Sequence, residues 1–326
     1  MKQKTYEKER VFLSPYAKKS CESAGRSREE EECPMRTDFQ RDRDRIIYSK
    51  AFRRLKNKTQ VFFAPDGDHY MSRLTHTLDV CQIARSLARC LSLNEDLVEA
   101  IALGHDLGHT PFGHVGERVL KELSPYGFNH AEQSLRIVDV LEKDGQGLNL
   151  TFEVRDGILH HTSKGTPSTL EGIVVSYADR IAYINHDIED AIRAGFLKEE
   201  ELPKEAVKVF GRDTSKRINA AVSDIVAVSE GKPFVRMSSE KEEALQELRT
   251  FMFEHVYERA NKLIQDNAKR MLETLYAYFT AHPEELPPPY DKSDAPRAAC
   301  DYLSSMTDHY AITLFRSLFE PREGAV

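Results

Sequence analysis

The chain lacks tryptophan, and its five cysteines are scattered through 326 residues. None of Cys21, Cys33, Cys81, Cys90 and Cys300 belongs to a CxxC pair, which argues against a zinc ribbon or a dithiol redox site. An odd number without a regular framework points to reduced thiols and a cytoplasmic protein. Basic residues are in deficit: 46 Lys and Arg against 53 Asp and Glu leave a net charge of −7. The molecule as a whole is therefore no basic nucleic-acid binder, although local basic patches remain open. No window approaches the roughly 20 apolar residues that a membrane helix needs. The charged start MKQKTYEKER is not followed by an apolar signal core, so neither export nor insertion is expected. Strand-like alternation is missing too, and no internal repeat is seen. Apolar residues recur at helical spacing instead, and an all-α fold is expected.

What is present suits a soluble globular protein, with 40% hydrophobic and 30% charged residues. Residues 1–37 read as a flexible charged arm, partly disordered or draped over the surface, with Pro15 and Pro34 breaking any long helix. Residues 38–195 read as the core and 196–326 as a helical C-terminal extension packed on it. Within 38–64 a basic amphipathic helix with a short extended tail is expected, its apolar anchors set around Arg53, Arg54, Lys56 and Lys58; it reads as a docking helix with a wet face, or as one with some of Arg53, Arg54 and Lys56 facing a polyanion, and a turn follows at 65–68. A helix starts near Ser72, and Asn94 caps the next, with Glu95 and Asp96 in its first turn. Further helices are expected over 97–107, 115–123, 130–141, 152–161 and 170–194, the last closed by Gly195. One long helix is expected over 240–281 and a final pair over 295–319.

Nine of the twelve histidines lie between His69 and His186. The densest stretch, 105–117, holds His105, Asp106, His109, His114 and Glu117. An adjacent His–Asp pair offers an imidazole and a carboxylate, ligand types that suit a divalent transition metal. The 97–107 helix is nearly all apolar until that pair, and a buried charge is costly unless paired or bound to metal. If the lead-in is helical, His105 and His109 share a face, and His114 and Glu117 sit one turn apart on the next helix. His76 on an earlier helix and Asp179 on a later one can converge on the same ion, as in helix-bundle metal sites. On the 170–194 helix, Asp179, Tyr183, His186, Asp187 and Asp190 fall near one stripe, like the lining of a cleft. These residues point to a metal-dependent hydrolase.

The order His76, His105-Asp106, Asp179 resembles the ligand pattern of the HD-domain phosphohydrolases. The segments RTDFQRDRDRIIYSKAFRRLKNKTQVF, SRLTHTLDVCQIAR, HDLGHTPFGHVGE and SYADRIAYINHDIEDA are similar to the deoxyguanosine triphosphate triphosphohydrolase branch. The likeness spans roughly residues 36–195, so an HD-domain helical bundle with additional C-terminal helices is expected.

This resemblance implies a reaction: a deoxynucleoside triphosphate, dGTP or several dNTPs, is hydrolysed at the α-phosphorus to deoxynucleoside and triphosphate. It implies that His76, His105, Asp106 and Asp179 hold a divalent metal (Mn, Mg, Fe, Co or Ni). It assigns His114 to protonating the departing 5′ oxygen, with Glu117 orienting it; other branches carry Asp where Glu117 stands. His109 and His130 match groups on the phosphates, and Arg73 and Arg180 match cationic clamps. Tyr183 and Asp187 match groups on the sugar, with Asp187 reading the 3′-hydroxyl and Tyr183 crowding C2′ against ribonucleotides. Gln60 matches a residue near the sugar 3′ side. His160 and His161 receive no role. A homo-oligomer, tetramer or hexamer, is implied, with a dNTP activator at a subunit interface and single-stranded DNA as further partners in some members. Two alternatives stay open: an HD phosphohydrolase on another nucleotide phosphoester, and a nucleotide or single-stranded-DNA sensor with low turnover, motivated by the basic segment 41–58.

Overall fold

The computed structural model describes residues 1–60, 71–162, 165–257 and 262–320. The turn expected at 65–68 and His69 lie outside them. Within them β structure is confined to two isolated bridges, Arg26 with Thr151 and Thr59 with Ser72; everything else regular is helical, as expected. The helices are α1 (Lys2–Phe12), α2 (Asp38–Ile47), α3 (Lys50–Arg54), α4 (Arg73–Cys90), α5 (Glu95–Gly104), α6 (His114–Leu123), α7 (His130–Arg136), the single turn α8 (Glu142–Gly145), α9 (Phe152–His160), α10 (Leu170–Arg193), α11 (Lys204–Phe210), α12 (Thr214–Ser229), α13 (Ser239–Met252), α14 (Lys262–Ala281), α15 (Ala295–Ser305) and α16 (Asp308–Phe319).

Local chemistry starts the helices that carry the site. Ser72 and Thr75 form a reciprocal capping box before α4, each side chain taking the other's backbone N–H. Asn94 accepts the N–H groups of Asp96 and Leu97 before α5, a cap worth about 1 kcal/mol. Helix α5 then buries Leu97, Val98, Ile101 and Leu103 between α2, α4, α9 and α10. Fully burying each such side chain contributes roughly 1.5–3 kcal/mol.

Two apolar clusters result. The larger joins α2, α4, α5, α9, α10 and the helices α11 to α13. The smaller joins α6, α14, α15 and α16 around Leu120, Leu272, Leu275 and Leu303. The stretch 105–114 runs from one to the other, so the histidines sit at the seam.

Several expected helices differ. Helix α5 stops at Gly104, so His105 and His109 do not share a helical face; His105 starts a turn and His109 lies in a loop. The 130–141 helix turns π-helical at Ile137–Leu141. The long helix expected over 240–281 is interrupted by a second π turn, Phe253–Tyr257, and α13 and α14 pack in different clusters. No glycine or proline marks that break.

The basic segment is largely paired. Arg41 and Arg45 both reach Glu30, and Arg43 reaches Asp44 and Glu99. Lys58 is buried at 2% exposure, where two backbone carbonyls receive its ammonium group. The N-terminal residues lie against the body: buried Glu9 takes the backbone N–H and the hydroxyl of Ser20, and Glu153 takes the N–H of Ala24.

Candidate active site

Four side chains converge where α4, the end of α5 and α10 meet. His76 Nε2 lies 3.1 Å from Asp179 Oδ1 and 3.9 Å from Asp106 Oδ2. His105 Nε2 lies 3.6 Å from Asp106 Oδ1 and 3.8 Å from Asp179 Oδ1. Ligands about 2.1 Å from one ion stand roughly 3–3.5 Å from each other, close to these separations. The tautomer of His105 also fits. Its Nδ1 lies 2.6 Å from the carbonyl of Ala102 and so carries the proton. That leaves Nε2 as a buried lone pair with no hydrogen-bond partner among the described residues. Burial favours the neutral form of both carboxyls, but the neighbouring imidazoles and Arg73 outweigh it. His76 and His105 hold Asp179 down at about 2, and His105 and Arg73 hold Asp106 well below the carboxylate range. A site of two imidazoles and two carboxylates, with His105 Nε2 buried and without a described partner, suits a divalent cation.

Arg73 braces this group. Its Nη1 donates to Asp106 Oδ2 at 2.6 Å and its Nη2 to the carbonyl of Gln60 at 3.2 Å. Asp106 thus uses one oxygen toward His105 and the other toward the guanidinium.

A second set lies beyond Gly108. His109 stacks on His130 with ring centroids 4.5 Å apart, and His114 stands 5.9 Å from His109. Glu117 Oε1 accepts from His130 Nδ1 at 3.0 Å, while its Oε2 is 3.9 Å from His114 Nδ1. The carboxylate expected to orient His114 is therefore engaged more closely by His130, and His114 is left half exposed. Burial would raise Glu117, but His114 and His130 together hold it far below the carboxylate range. Burial and Arg73 push His109 well below the usual imidazole range, so it is neutral. For His130 burial acts downward, yet Glu117 outweighs it and the pKa is raised. His161, which had no expected role, lies against both sets, its ring 5.0 Å from that of His105 and 5.3 Å from that of His130.

Gly108 explains why the two sets can be so close. A Cβ there would fall 2.2 Å from the Ser134 nitrogen, so only glycine lets α7 approach the His–Asp turn. Ser134 Oγ completes the contact, accepting from Gly108 N at 2.8 Å and donating to the carbonyl of His105 at 2.7 Å.

Both sets open into one cavity of about 170 Å³. Of the thirteen residues expected at the site, Gln60, Arg73, His76, Asp106, His109, His114, His130, Asp179, Arg180, Tyr183 and Asp187 line it. His105 and Glu117 stand just behind, each against a lining residue. Arg180 reaches the cavity already paired, donating to Glu242 at 2.6 Å and stacking on Tyr177. Asp187 accepts a short bond from the Tyr257 hydroxyl, and burial pushes it up to about 7. Tyr183, pushed up to about 12 by burial, is neutral on the same wall.

Four lining residues were not expected: Thr162, Arg249, Phe253 and Tyr257. The last three recur every four residues, so a shared helical face was a readable signal. It was masked because the surrounding apolar pattern reads as core.

A family model described as the HD domain matches residues 73–184, and one described as a phosphohydrolase-associated domain matches 235–317. The second match covers Arg249, Phe253 and Tyr257. A deoxyguanosinetriphosphate triphosphohydrolase-like protein of Caldanaerobacter subterraneus subsp. tengcongensis is 57% identical over 97% of this chain and 95% of its own length. Proteins of the same description from Desulfatibacillum aliphaticivorans and Clostridium perfringens (strain SM101 / Type A) are 47% and 48% identical over 98% and 96% of this chain, covering 98% and 96% of their own lengths.

Proposed function

We propose, for a chain that belongs to the HD-domain family of deoxyguanosinetriphosphate triphosphohydrolase-like proteins, that the cavity hydrolyses a deoxynucleoside triphosphate at its α-phosphorus. The supporting observation is the junction of two chemically distinct sets in one cavity: His76, His105 and Asp106 grouped within ligand reach with Asp179 beside both imidazoles, and a histidine trio served by Glu117.

A divalent metal held by His76, His105, Asp106 and Asp179 would lower the pKa of a water and polarise a phosphoryl oxygen. The donor set admits Mn, Mg, Fe, Co or Ni. In the reaction, water oxygen bonds to the α-phosphorus and the bond to the 5′ oxygen breaks. The leaving oxygen takes a proton, giving a deoxynucleoside and intact triphosphate. His114 is the exposed member of the trio and has the freedom to deliver that proton, with Glu117 behind it. His130, charged against Glu117, and Arg73 give the triphosphate fixed positive charge. His109, neutral and stacked on His130, offers a hydrogen bond without further charge. Arg180 is drawn from Glu242 to the phosphates when they bind.

The opposite wall suits a deoxyribose. Tyr183 presents a flat apolar surface where a 2′-hydroxyl would crowd, and Asp187 with Tyr257 offers paired polar groups to the 3′-hydroxyl. Gln60 Oε1, buried without a described partner, is a further acceptor on that side.

Each dNTP, alone and in pairs, incubated with varied divalent metals and resolved by chromatography, tests the proposal. Triphosphate and a deoxynucleoside are expected; stimulation of one dNTP by another would reveal an activating nucleotide between subunits of a homo-oligomer. No triphosphate from any dNTP, with metal verified in the protein, overturns the reading. Orthophosphate or pyrophosphate favours an HD phosphohydrolase on another phosphoester.

A further inference from the structure

The trio of histidines is carried by non-helical or short segments. His109 sits in the loop before α6, His114 opens α6, His130 opens α7, and Gln60 lies in the stretch 58–60 beyond α3. Local bonds hold them in part, the Thr110 hydroxyl donating to the carbonyl of Gly113 and Asn129 capping α7. The structure fastens them to one distant place, the turn between α15 and α16.

Asp308, at the first position of α16, spans two loops with one carboxylate. Its Oδ1 accepts the N–H of Phe112 and its Oδ2 the N–H of Thr59, each at 3.0 Å. The carboxylate is buried, at 7% residue exposure. Phe112 has φ +60°, a left-handed conformation that a bulky residue holds only where its surroundings enforce it. Asp308 provides that enforcement two residues before His114. Next to it, Lys58 Nζ donates to the carbonyl of His109 and to that of Ser304, the latter at 2.7 Å. The 58–60 and 109–113 stretches are thus drawn together from beneath. Their approach is close: a Cβ at Gly113 would lie 2.9 Å from the carbonyl oxygen of Gln60. One turn earlier, Asp301 receives Arg136 in a two-pronged pair at 2.7–2.9 Å and Gln133 Nε2 at 2.9 Å, which seats α7. None of these bonds reaches the side chains of the four candidate metal ligands. The histidine half of the cavity is held from α15 and α16, and the ligand half meets the same clamp through Arg73, whose backbone N–H reaches the carbonyl of Lys58 and whose Nη2 reaches that of Gln60.

We propose that Asp308 is a positioning residue: by gripping the Thr59 and Phe112 backbones it sets His109, His114 and Gln60 relative to the metal-ligand group. This rests on the reading that those residues serve the triphosphate. A carboxylate accepting two N–H groups does this better than an amide, which has one acceptor and a donor aimed at an N–H. Lys58 is the second member of the clamp. The C-terminal segment then acts mainly on turnover, because its own bonds stop short of the four ligand side chains and reach them only by way of Arg73.

Asp308→Asn tests this in the full-length, metal-loaded protein, with Thr307→Ala as control. Thr307 caps α16 by accepting the Tyr310 N–H at 3.2 Å, so its loss weakens the same helix without touching the clamp. In Asp308→Asn, amide exchange at Thr59 and Phe112 should speed up about tenfold or more. Its kcat for the best dNTP should fall about tenfold to a hundredfold with KM little changed, and bound metal per chain should stay at the wild-type value. In Thr307→Ala the melting temperature should fall while kcat and both amides stay as in the wild type. The proposal is overturned by unchanged exchange in Asp308→Asn, by faster exchange with unchanged kcat, or by an equal loss of kcat in Thr307→Ala. Should the wild type release no triphosphate from any dNTP, the functional reading fails separately, and the exchange comparison alone decides whether Asp308 holds the two loops.

Discussion

His130 and His161 meet nitrogen to nitrogen, Nε2 to Nε2, at 3.3 Å. His161 Nδ1 lies 2.7 Å from the carbonyl of Ile158 and so carries the proton, which leaves its Nε2 as an acceptor. His130 must then donate from Nε2, and its Nδ1 faces the Glu117 carboxylate and needs a proton as well. His130 is therefore an imidazolium held between a carboxylate and a neutral imidazole. Burial, with His105 and His130 close by, pushes His161 down to about 4, in keeping with its role as acceptor.

Ring-nitrogen NMR should find His130 still protonated above the ordinary imidazole pKa of about 6.5. The sign of the linkage follows. Its raised pKa contributes stability that is fully present below pH ~6.5 and is lost as pH rises through the folded value. Glu117→Gln should return His130 toward the ordinary range and flatten that loss. A wild-type His130 that titrates at or below about 6.5 contradicts the assignment.

Glu171 gives a second pH effect, of known direction, far from the chemistry. Its Oε1 accepts the N–H groups of Lys18 and Asn94, each at 3.0 Å, and its Oε2 has no described partner. Burial pushes it up to about 7, although those backbone bonds pull the other way. Between the unfolded value of about 4.5 and 7, the folded chain keeps a proton that the unfolded chain releases. Stability from this group therefore falls with rising pH, by up to about 1.4 kcal/mol per unit. Glu171→Gln keeps the acceptor and removes the titration. Thermal melting should show the variant equal to wild type near pH 5 and relatively more stable at pH 8; a constant difference across that range would refute the account.

Gly108→Ala should be among the most damaging single-methyl changes in the chain. The added carbon meets the α7 backbone at Ser134 and Gln133, not a flexible side-chain tip. A loss of about 1–3 kcal/mol is expected by urea unfolding, together with reduced turnover, because α7 carries His130. A variant within about 0.5 kcal/mol of wild type would mean that the turn relaxes freely.

The two sides of Gly108 should also separate by mutation. His105→Ala removes the nitrogen that faces the carboxylates and should lose bound metal. His114→Ala alters a half-exposed ring outside the ligand set and should keep metal while losing turnover. Metal content measured on the purified variants decides this, and equal loss in both would refute the division.

Much of this was readable in the sequence, for local reasons. Ser72 and Asn94 act through residues two or three positions away, so their caps could be read directly. His105-Asp106 at the end of an apolar helix announced a buried polar site, His76 and Asp179 on neighbouring helices were placed to converge on it, and the family likeness gave the four their shared role. What escaped depends on long-range contacts. Lys58 reads as a surface cation, yet its ammonium meets the Ser304 carbonyl 246 positions away. Tyr257 sits on a π turn that no glycine or proline signals, and its hydroxyl reaches Asp187 on a helix 70 positions away. Glu117 was paired with His114 by helical spacing, whereas the fold brings it closer to His130 from the next helix.

The central claim is attack at the α-phosphorus with release of the 5′ oxygen, and hydrolysis in ¹⁸O-labelled water tests it most directly. Mass spectrometry of the products should find one labelled oxygen in the triphosphate and none in the deoxynucleoside. Label in the deoxynucleoside, or products limited to orthophosphate or pyrophosphate, would contradict it.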